Sequence, residues 1–217
     1  MGTPPLGGSH RRLTPGRLFG VDRSGPPPPE TLAGQPLRPW TLPNALGAVR
    51  AALVVVYLVS AYSANSHGGV DALAGVAFFV AGAGDYADGM VARATGQYSR
   101  LGTLLDPVLD RVLVCSGVVV CWSYELLPRW VLAILLVREL AMLVGGRVWM
   151  TRGVELRINW PGRIAVGPTM VGLFFALIGV RALGEGLVYV GVSLALVATV
   201  LYYRSGAAQM RARRAPG

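Results

Sequence analysis

The sequence predicts an all-α integral membrane protein with six transmembrane helices and both termini on the cytoplasmic side. Three observations predict it. Of 217 residues 53% are hydrophobic and only 14% charged, with a mean hydropathy of +0.51, too apolar for an ordinary soluble domain. Beyond residue 44, apolar segments close to the roughly 20 residues needed to cross a bilayer alternate with short polar or basic connectors. The basic residues, 20 in all and every one an arginine, crowd the tails and the 93–100 and 152–163 connectors, leaving Arg129 and Arg181 on the opposite side. Positive charge stays on the cytoplasmic side, which fixes the orientation.

Residues 1–43 hold ten of the fifteen prolines with Gly, Ser and five arginines, the composition of a disordered cytoplasmic tail. No apolar run follows its first basic residues closely enough for a signal peptide, so the first apolar segment is expected to be an anchor. Thr41, Pro43 and Asn44 suit a helix start, leading into a first span over about Leu46 to Ala61. Arg50 is expected to anchor its watery end, with a phosphate contact as the alternative. SANSHGG makes a turn in which His67 is a solvated loop residue. The second span runs from about Val70 to Arg93 and ATGQYSR connects it to the third, about Leu101 to Ser123. YELLP turns the chain into a fourth span, about Trp130 to Met150. A basic connector leads to a fifth, about Ile164 to Val180, and RALGEG turns into a sixth, about Leu187 to Tyr203. One six-helix domain over 44–204 is expected, followed by a basic tail over 205–217. Cys115 and Cys121 lack metal-type spacing and are expected to be small buried hydrophobes.

Four of the six aspartates, Asp85, Asp88, Asp106 and Asp110, lie in the second and third spans. On a helix turning about 100° per residue, Asp85 and Asp88 fall about 60° apart and Asp106 and Asp110 about 40° apart, so each pair shares a face. Antiparallel packing of consecutive helices would set Asp85 level with Asp110 and Asp88 with Asp106. Gly89 and Ala92 stand one turn after Asp85 and Asp88, and Gly102 one turn before Asp106, so a bulky ligand could approach the backbone. Arg93 adds a cationic rim. Four such charges at close quarters call for divalent cations, two Mg²⁺ or Mn²⁺ ions with oxygen ligands. Two metals bridged by carboxylates suit displacement at phosphorus.

The pattern D-x-x-D-G-x-x-A-R, eight residues, G-x-x-x-D-x-x-x-D resembles the signature of the CDP-alcohol phosphatidyltransferase family, with every fixed position met. Eight such matches arise by chance in a chain of this length with a probability on the order of 10⁻⁸. The resemblance implies a six-helix enzyme, usually dimeric, of a bacterial-type cell membrane. Such an enzyme moves a phosphatidyl group from CDP-diacylglycerol to a small alcohol or lipid acceptor and releases CMP. Membrane lipids and a second copy of the chain are its expected partners, and no nucleic acid. It further implies that Asp85, Asp88 and Asp106 hold the metals and that Asp110, beside a metal, is the general base. Gly89, Ala92 and Gly102 would make room for cytidine and ribose, and Arg93 would face the nucleotide phosphates. PNALGAVR is similar to the family's N-terminal segment at Asn44 and Arg50.

Arg111, Arg138 and Arg147 lie in or near spans, where charges are costly. RELAMLVGGR followed by NWPGR resembles the R-E-L and W-x-G-K regions of phosphatidylglycerophosphate synthases, which would place Arg138, Arg147 and Arg163 around an acceptor phosphate. An ion pair with Glu139 is the structural alternative for Arg138. Those synthases carry Lys at the positions of Arg111 and Arg163. The leading expectation is therefore transfer to sn-glycerol 3-phosphate. A cardiolipin synthase using phosphatidylglycerol comes next, then an inositol phosphate acceptor. A non-enzymatic divalent-cation carrier would not need Gly89, Ala92, Arg93 and Gly102 at that spacing.

Overall fold

A computed structural model describes residues 41–64, 68–151 and 160–214, without the side chains of 147, 149–151, 160–163 and 212–214. Residues 1–40 of the expected 1–43 tail, His67 and the connector arginines Arg152 and Arg157 lie outside the described residues. The described residues form six α-helices: α1 Leu42–Ser63, α2 Ala72–Thr95, α3 Arg100–Ser123, α4 Arg129–Thr151, α5 Trp160–Leu177 and α6 Arg181–Arg214. No strand occurs among the described residues.

Helix ends follow local chemistry. Thr41 caps α1, its side chain accepting from the Asn44 N–H, with Pro43 in the first turn where its missing N–H costs nothing. Asp71 caps α2 by accepting from the N–H groups of Leu73 and Ala74, and Ser60 of α1 donates to its other oxygen at 3.0 Å. Ser99 caps α3 through the Gly102 N–H. The chain leaves α2 through Gly96 at φ 65°, where a glycine costs least. Cross-helix bonds order the bundle ends. Leu42 N–H donates to the Gln97 side chain and Ser99 Oγ to Asn44 Oδ1 at 2.8 Å, tying the start of α1 to the α2–α3 connector. At the other end Asp71 N–H donates to the Leu177 carbonyl, joining α2 to the end of α5.

Two boundaries differ from expectation. RALGEG, read as a turn, is helical: α6 begins at Arg181, and the turn falls at Gly179, with φ 87°. One glycine of that stretch, Gly184, serves packing instead. A Cβ on Gly184 would stand 2.8 Å from the Gly172 carbonyl oxygen, so α5 and α6 touch backbone to backbone. At its far end α6 continues to Arg214, making residues 205–214 helical where a tail is expected. Tyr203 of α6 packs over Gly145 of α4 and donates to the Ala141 carbonyl at 2.6 Å.

Tyr57, Phe78, Leu113, Leu132, Leu173 and Val188 fill the centre with almost no exposure. The outward faces are also apolar, with Val55, Val59, Val137 and Leu140 each at least 60% exposed. Water rejects such a surface, whereas lipid chains accept it. Among the described residues two helices qualify as membrane spans by length and composition, Leu42–Ser63 and Arg181–Arg211, with a shorter apolar stretch over Ile164–Leu177. That is fewer than the six expected. Helices α2, α3 and α4 carry the aspartates and arginines of interest, and those charges lower their mean hydropathy.

Candidate active site

The site forms where α1, α2 and α3 meet near the Asn44–Ser99 link. Asp85 and Asp88 project from α2, and Asp106 and Asp110 from α3 on either side of Pro107, which sits inside the helix. Proline removes the N–H that would bond the Thr103 carbonyl. Asp88 is buried, at 5% exposure, while the Asp85 side chain is 47% exposed. Asp106 lies within electrostatic range of Asp85, Asp88 and Arg50, and Asp110 within range of Asp85, Arg50, Glu139 and Arg111. The two pairs thus share one field.

Arg50 corrects an expectation. It does not anchor the end of α1 at an interface; it is 3% exposed, and its Nη1 reaches Asp85 Oδ1 at 2.9 Å and Asp88 Oδ2 at 3.4 Å. Its Nε donates to the Ala81 carbonyl at 3.0 Å. Burial follows from need, because a carboxylate such as Asp88 can leave water only with a partner. The signal was present in the sequence, as a lone arginine early in an apolar span one helix before paired aspartates.

Among the described residues no three Asp, Glu, His or Cys side chains already converge as a metal-binding group; Arg50 bridges two of the four instead. The residues nevertheless fit a hard divalent cation. Every donor is a carboxylate oxygen, as Mg²⁺ and Mn²⁺ prefer, and Asp88 Oδ1 is buried without a hydrogen-bond partner. The small residues have local reasons as well. A Cβ on Gly89 would stand 3.1 Å from the Arg93 guanidinium, so Gly89 lets Arg93 fold along α2. A Cβ on Gly102 would stand 2.8 Å from Asn44 Oδ1, so Gly102 admits the α1–α3 link. Ala92 lies on the same turn as Gly89, half-buried.

Behind the aspartates lies a cavity of about 210 Å³ between α3, α4, α5 and α6. Asp110 and Arg111 form one wall, Arg138 and Glu139 another, with Thr169 and Tyr202 completing the polar lining among mostly apolar neighbours. Arg138 makes the ion pair with Glu139 weighed from the sequence, and its Nε reaches Thr199 Oγ1 at 3.4 Å. It lines the cavity while paired, so pairing and ligand contact are compatible. Arg111 donates from Nη1 to the Pro107 carbonyl, while its Nε is buried without a partner. Arg147 stands on α4 and Arg163 in the first turn of α5; their side chains lie outside the described residues.

Comparison with known proteins gives this geometry a family. Residues 40–201 match the profile named CDP-alcohol phosphatidyltransferase. A Mycobacterium tuberculosis protein provisionally named a cardiolipin synthase is 36% identical over 146 residues, 65% of this chain and 66% of its own length. Another from the same organism, provisionally named a phosphatidylglycerophosphate synthase, is 30% identical over 159 residues, 72% of this chain and 75% of its length. A Streptomyces coelicolor protein named cardiolipin synthase (CMP-forming) is 35% identical over 59% of this chain and 60% of its own. The chain thus spans about two thirds, or somewhat less, of the cardiolipin-synthase-named relatives it matches. The aspartate pattern, its place on two adjoining helices and the extent of the match lead to one conclusion: the chain belongs to the CDP-alcohol phosphatidyltransferase family, a family of membrane-associated enzymes of lipid biosynthesis.

Proposed function

We propose that the chain transfers a phosphatidyl group from CDP-diacylglycerol to the hydroxyl of an alcohol and releases CMP. One observation carries the reading: Asp110 belongs both to the aspartate cluster and to the wall of the adjoining cavity that Arg138 lines. A donor phosphate held at the cluster and an acceptor hydroxyl in the cavity would meet at that carboxylate. Asp85, Asp88, Asp106 and Asp110 would hold two divalent ions. When bound, those ions supply charge neutralisation at the pyrophosphate and at the departing phosphate. Asp110 takes the proton of the acceptor hydroxyl. The freed oxygen attacks the phosphatidyl phosphorus, the bond to the bridging oxygen breaks, and CMP leaves with its electron pair. Arg93, folded over Gly89, faces the nucleotide side. Gly89, Ala92 and Gly102 keep the backbone accessible to it.

The leading acceptor is sn-glycerol 3-phosphate, supported by the R-E-L stretch and by the unpartnered Arg111 Nε beside Arg138, which suit a phosphate. One observation favours a second reading. Among the described residues the cavity lining holds two arginines, Arg111 and Arg138, and two carboxylates, Asp110 and Glu139, among mostly apolar neighbours, a charge balance that suits the single charge of a phosphodiester such as phosphatidylglycerol. Six spans, with both termini and the aspartate cluster at the cytoplasmic face, complete the proposal, supported by the arginine distribution and the apolar outer surface.

The test is CMP release by the purified chain, given CDP-diacylglycerol and Mg²⁺ or Mn²⁺ with glycerol 3-phosphate, phosphatidylglycerol or inositol phosphate in turn. Release with glycerol 3-phosphate supports the leading reading, and release with phosphatidylglycerol alone moves the chain to the second. EDTA should abolish the reaction and added metal restore it. Full activity in chelator would refute the role of the aspartates as metal ligands.

A further inference from the structure

The Arg50 guanidinium stands where the α2 aspartates would need a cation, and the surrounding chain is shaped to keep it there. Its stem crosses α2 at Gly84, where a Cβ would stand 2.9 Å from Arg50 Cγ and 3.0 Å from Cδ. Any larger residue at 84 would push the stem aside. The Ala81 carbonyl holds Nε at 3.0 Å, which fixes the plane of the guanidinium and aims Nη1 at Asp85 and Asp88. The pairing is uneven: Nη1 is close to the half-exposed Asp85 and more distant from the buried Asp88. Asp88 Oδ1 receives no hydrogen bond. A buried carboxylate with one oxygen unpartnered and the other held at 3.4 Å is incompletely neutralised, although its counter-ion is in place.

We infer that Arg50 is an internal counter-ion that competes with divalent metal for Asp85 and Asp88, keeping the pair folded before metal binds and setting the affinity with which metal enters. The inference rests on the metal reading proposed above. Physically, a guanidinium 2.9 Å from a ligand oxygen occupies the lone pair that metal would use and repels the incoming ion. Without that charge two carboxylates would face each other, one of them buried, and would be left to the metal alone. Arg50 is thus a positioning residue, acting on the reaction through the aspartates, and it lowers the metal affinity of a site that is stable without metal.

Mn²⁺ binding to the full-length chain in detergent, without substrate, tests this directly when free Mn²⁺ is followed by electron paramagnetic resonance. Arg50→Gln should bind Mn²⁺ at least about tenfold more tightly than the wild type, since even a protein-like dielectric leaves a unit charge a few ångströms away worth that much. Arg50→Lys keeps the charge but lacks the Nε bond to Ala81, and should fall between the two. Gly84→Ala keeps every charge and displaces the arginine stem, so it too should tighten binding; it decides the matter if Arg50→Gln does not fold. Unchanged or weaker Mn²⁺ binding in the folded variants, beside a wild type that binds, would overturn the counter-ion role and leave the metal reading standing. A wild type that binds no Mn²⁺ would overturn both.

Discussion

Replacing Arg138 by Gln tests the proposed acceptor cavity most sharply. Arg138 stands on its wall with a 15% exposed side chain, its Nη1 paired with Glu139 and its Nε directed at Thr199. A guanidinium has five N–H donors, so about three remain for a ligand. One charge-assisted hydrogen bond to an acceptor phosphate contributes roughly 1.5 to 3 kcal/mol, which is about ten- to hundredfold in binding. The apparent KM for the acceptor should rise by that factor. The KM for CDP-diacylglycerol should change little, because on the proposed reading its phosphates would lie at the aspartate cluster. The single substitution also leaves the Glu139 carboxylate, 19% exposed, without its cation, and destabilisation could mimic a binding defect. Arg138→Gln with Glu139→Gln removes that orphan charge. The thermal midpoint in detergent should fall in the single variant and recover in the double, while the acceptor KM stays high in both. CMP release measured against each substrate gives the two constants. An unchanged acceptor KM in the double variant, or equal loss for both substrates, would refute the placement of the acceptor in this cavity.

Asp110→Asn should reduce turnover by about 10² to 10⁴-fold, the usual worth of a general base, while CDP-diacylglycerol still binds with metal, because the amide keeps an oxygen but cannot take a proton. Equal loss of donor binding, read by equilibrium binding of the nucleotide lipid, would reduce Asp110 to a ligand like its neighbours. Gly184→Val should lower the thermal midpoint, since its Cβ would stand 2.8 Å from the Gly172 carbonyl oxygen and 2.9 Å from Ala176 N. Overpacking of this kind costs about 1 to 3 kcal/mol. A midpoint equal to the wild type's would mean that α5 and α6 do not rely on that contact.

Much of the helical order was legible because it is local. The apolar run lengths set the number and rough bounds of the helices, and Thr41 with Pro43 marked the start of α1; within the ATGQYSR connector the structure then finds Gly96 in the turn and Ser99 as the α3 cap. The RALGEG stretch misled for a physical reason. Glycine marks a turn when it supplies a positive φ, as Gly179 does, but it also marks a close approach, as Gly184 does against Gly172, and residue type alone does not distinguish the two. Among the described residues only two helices reach the length and hydropathy of a membrane span, because α2, α3 and α4 carry the very charges that lower their hydropathy.

The sequence by itself determined the four aspartates, their sharing of helix faces and the family they mark, since identity and helical spacing are both properties of adjacent residues. Only the tertiary structure decided what those aspartates face. Arg50 is 35 residues from Asp85 and 38 from Asp88, and its burial between them depends on how α1 crosses α2 at Gly84. The cavity that joins Asp110 to Arg138 likewise draws walls from four helices. Periodicity reports which residues share one helix face; it carries no information about which face of another helix packs against it, and the counter-ion of a buried carboxylate is chosen there.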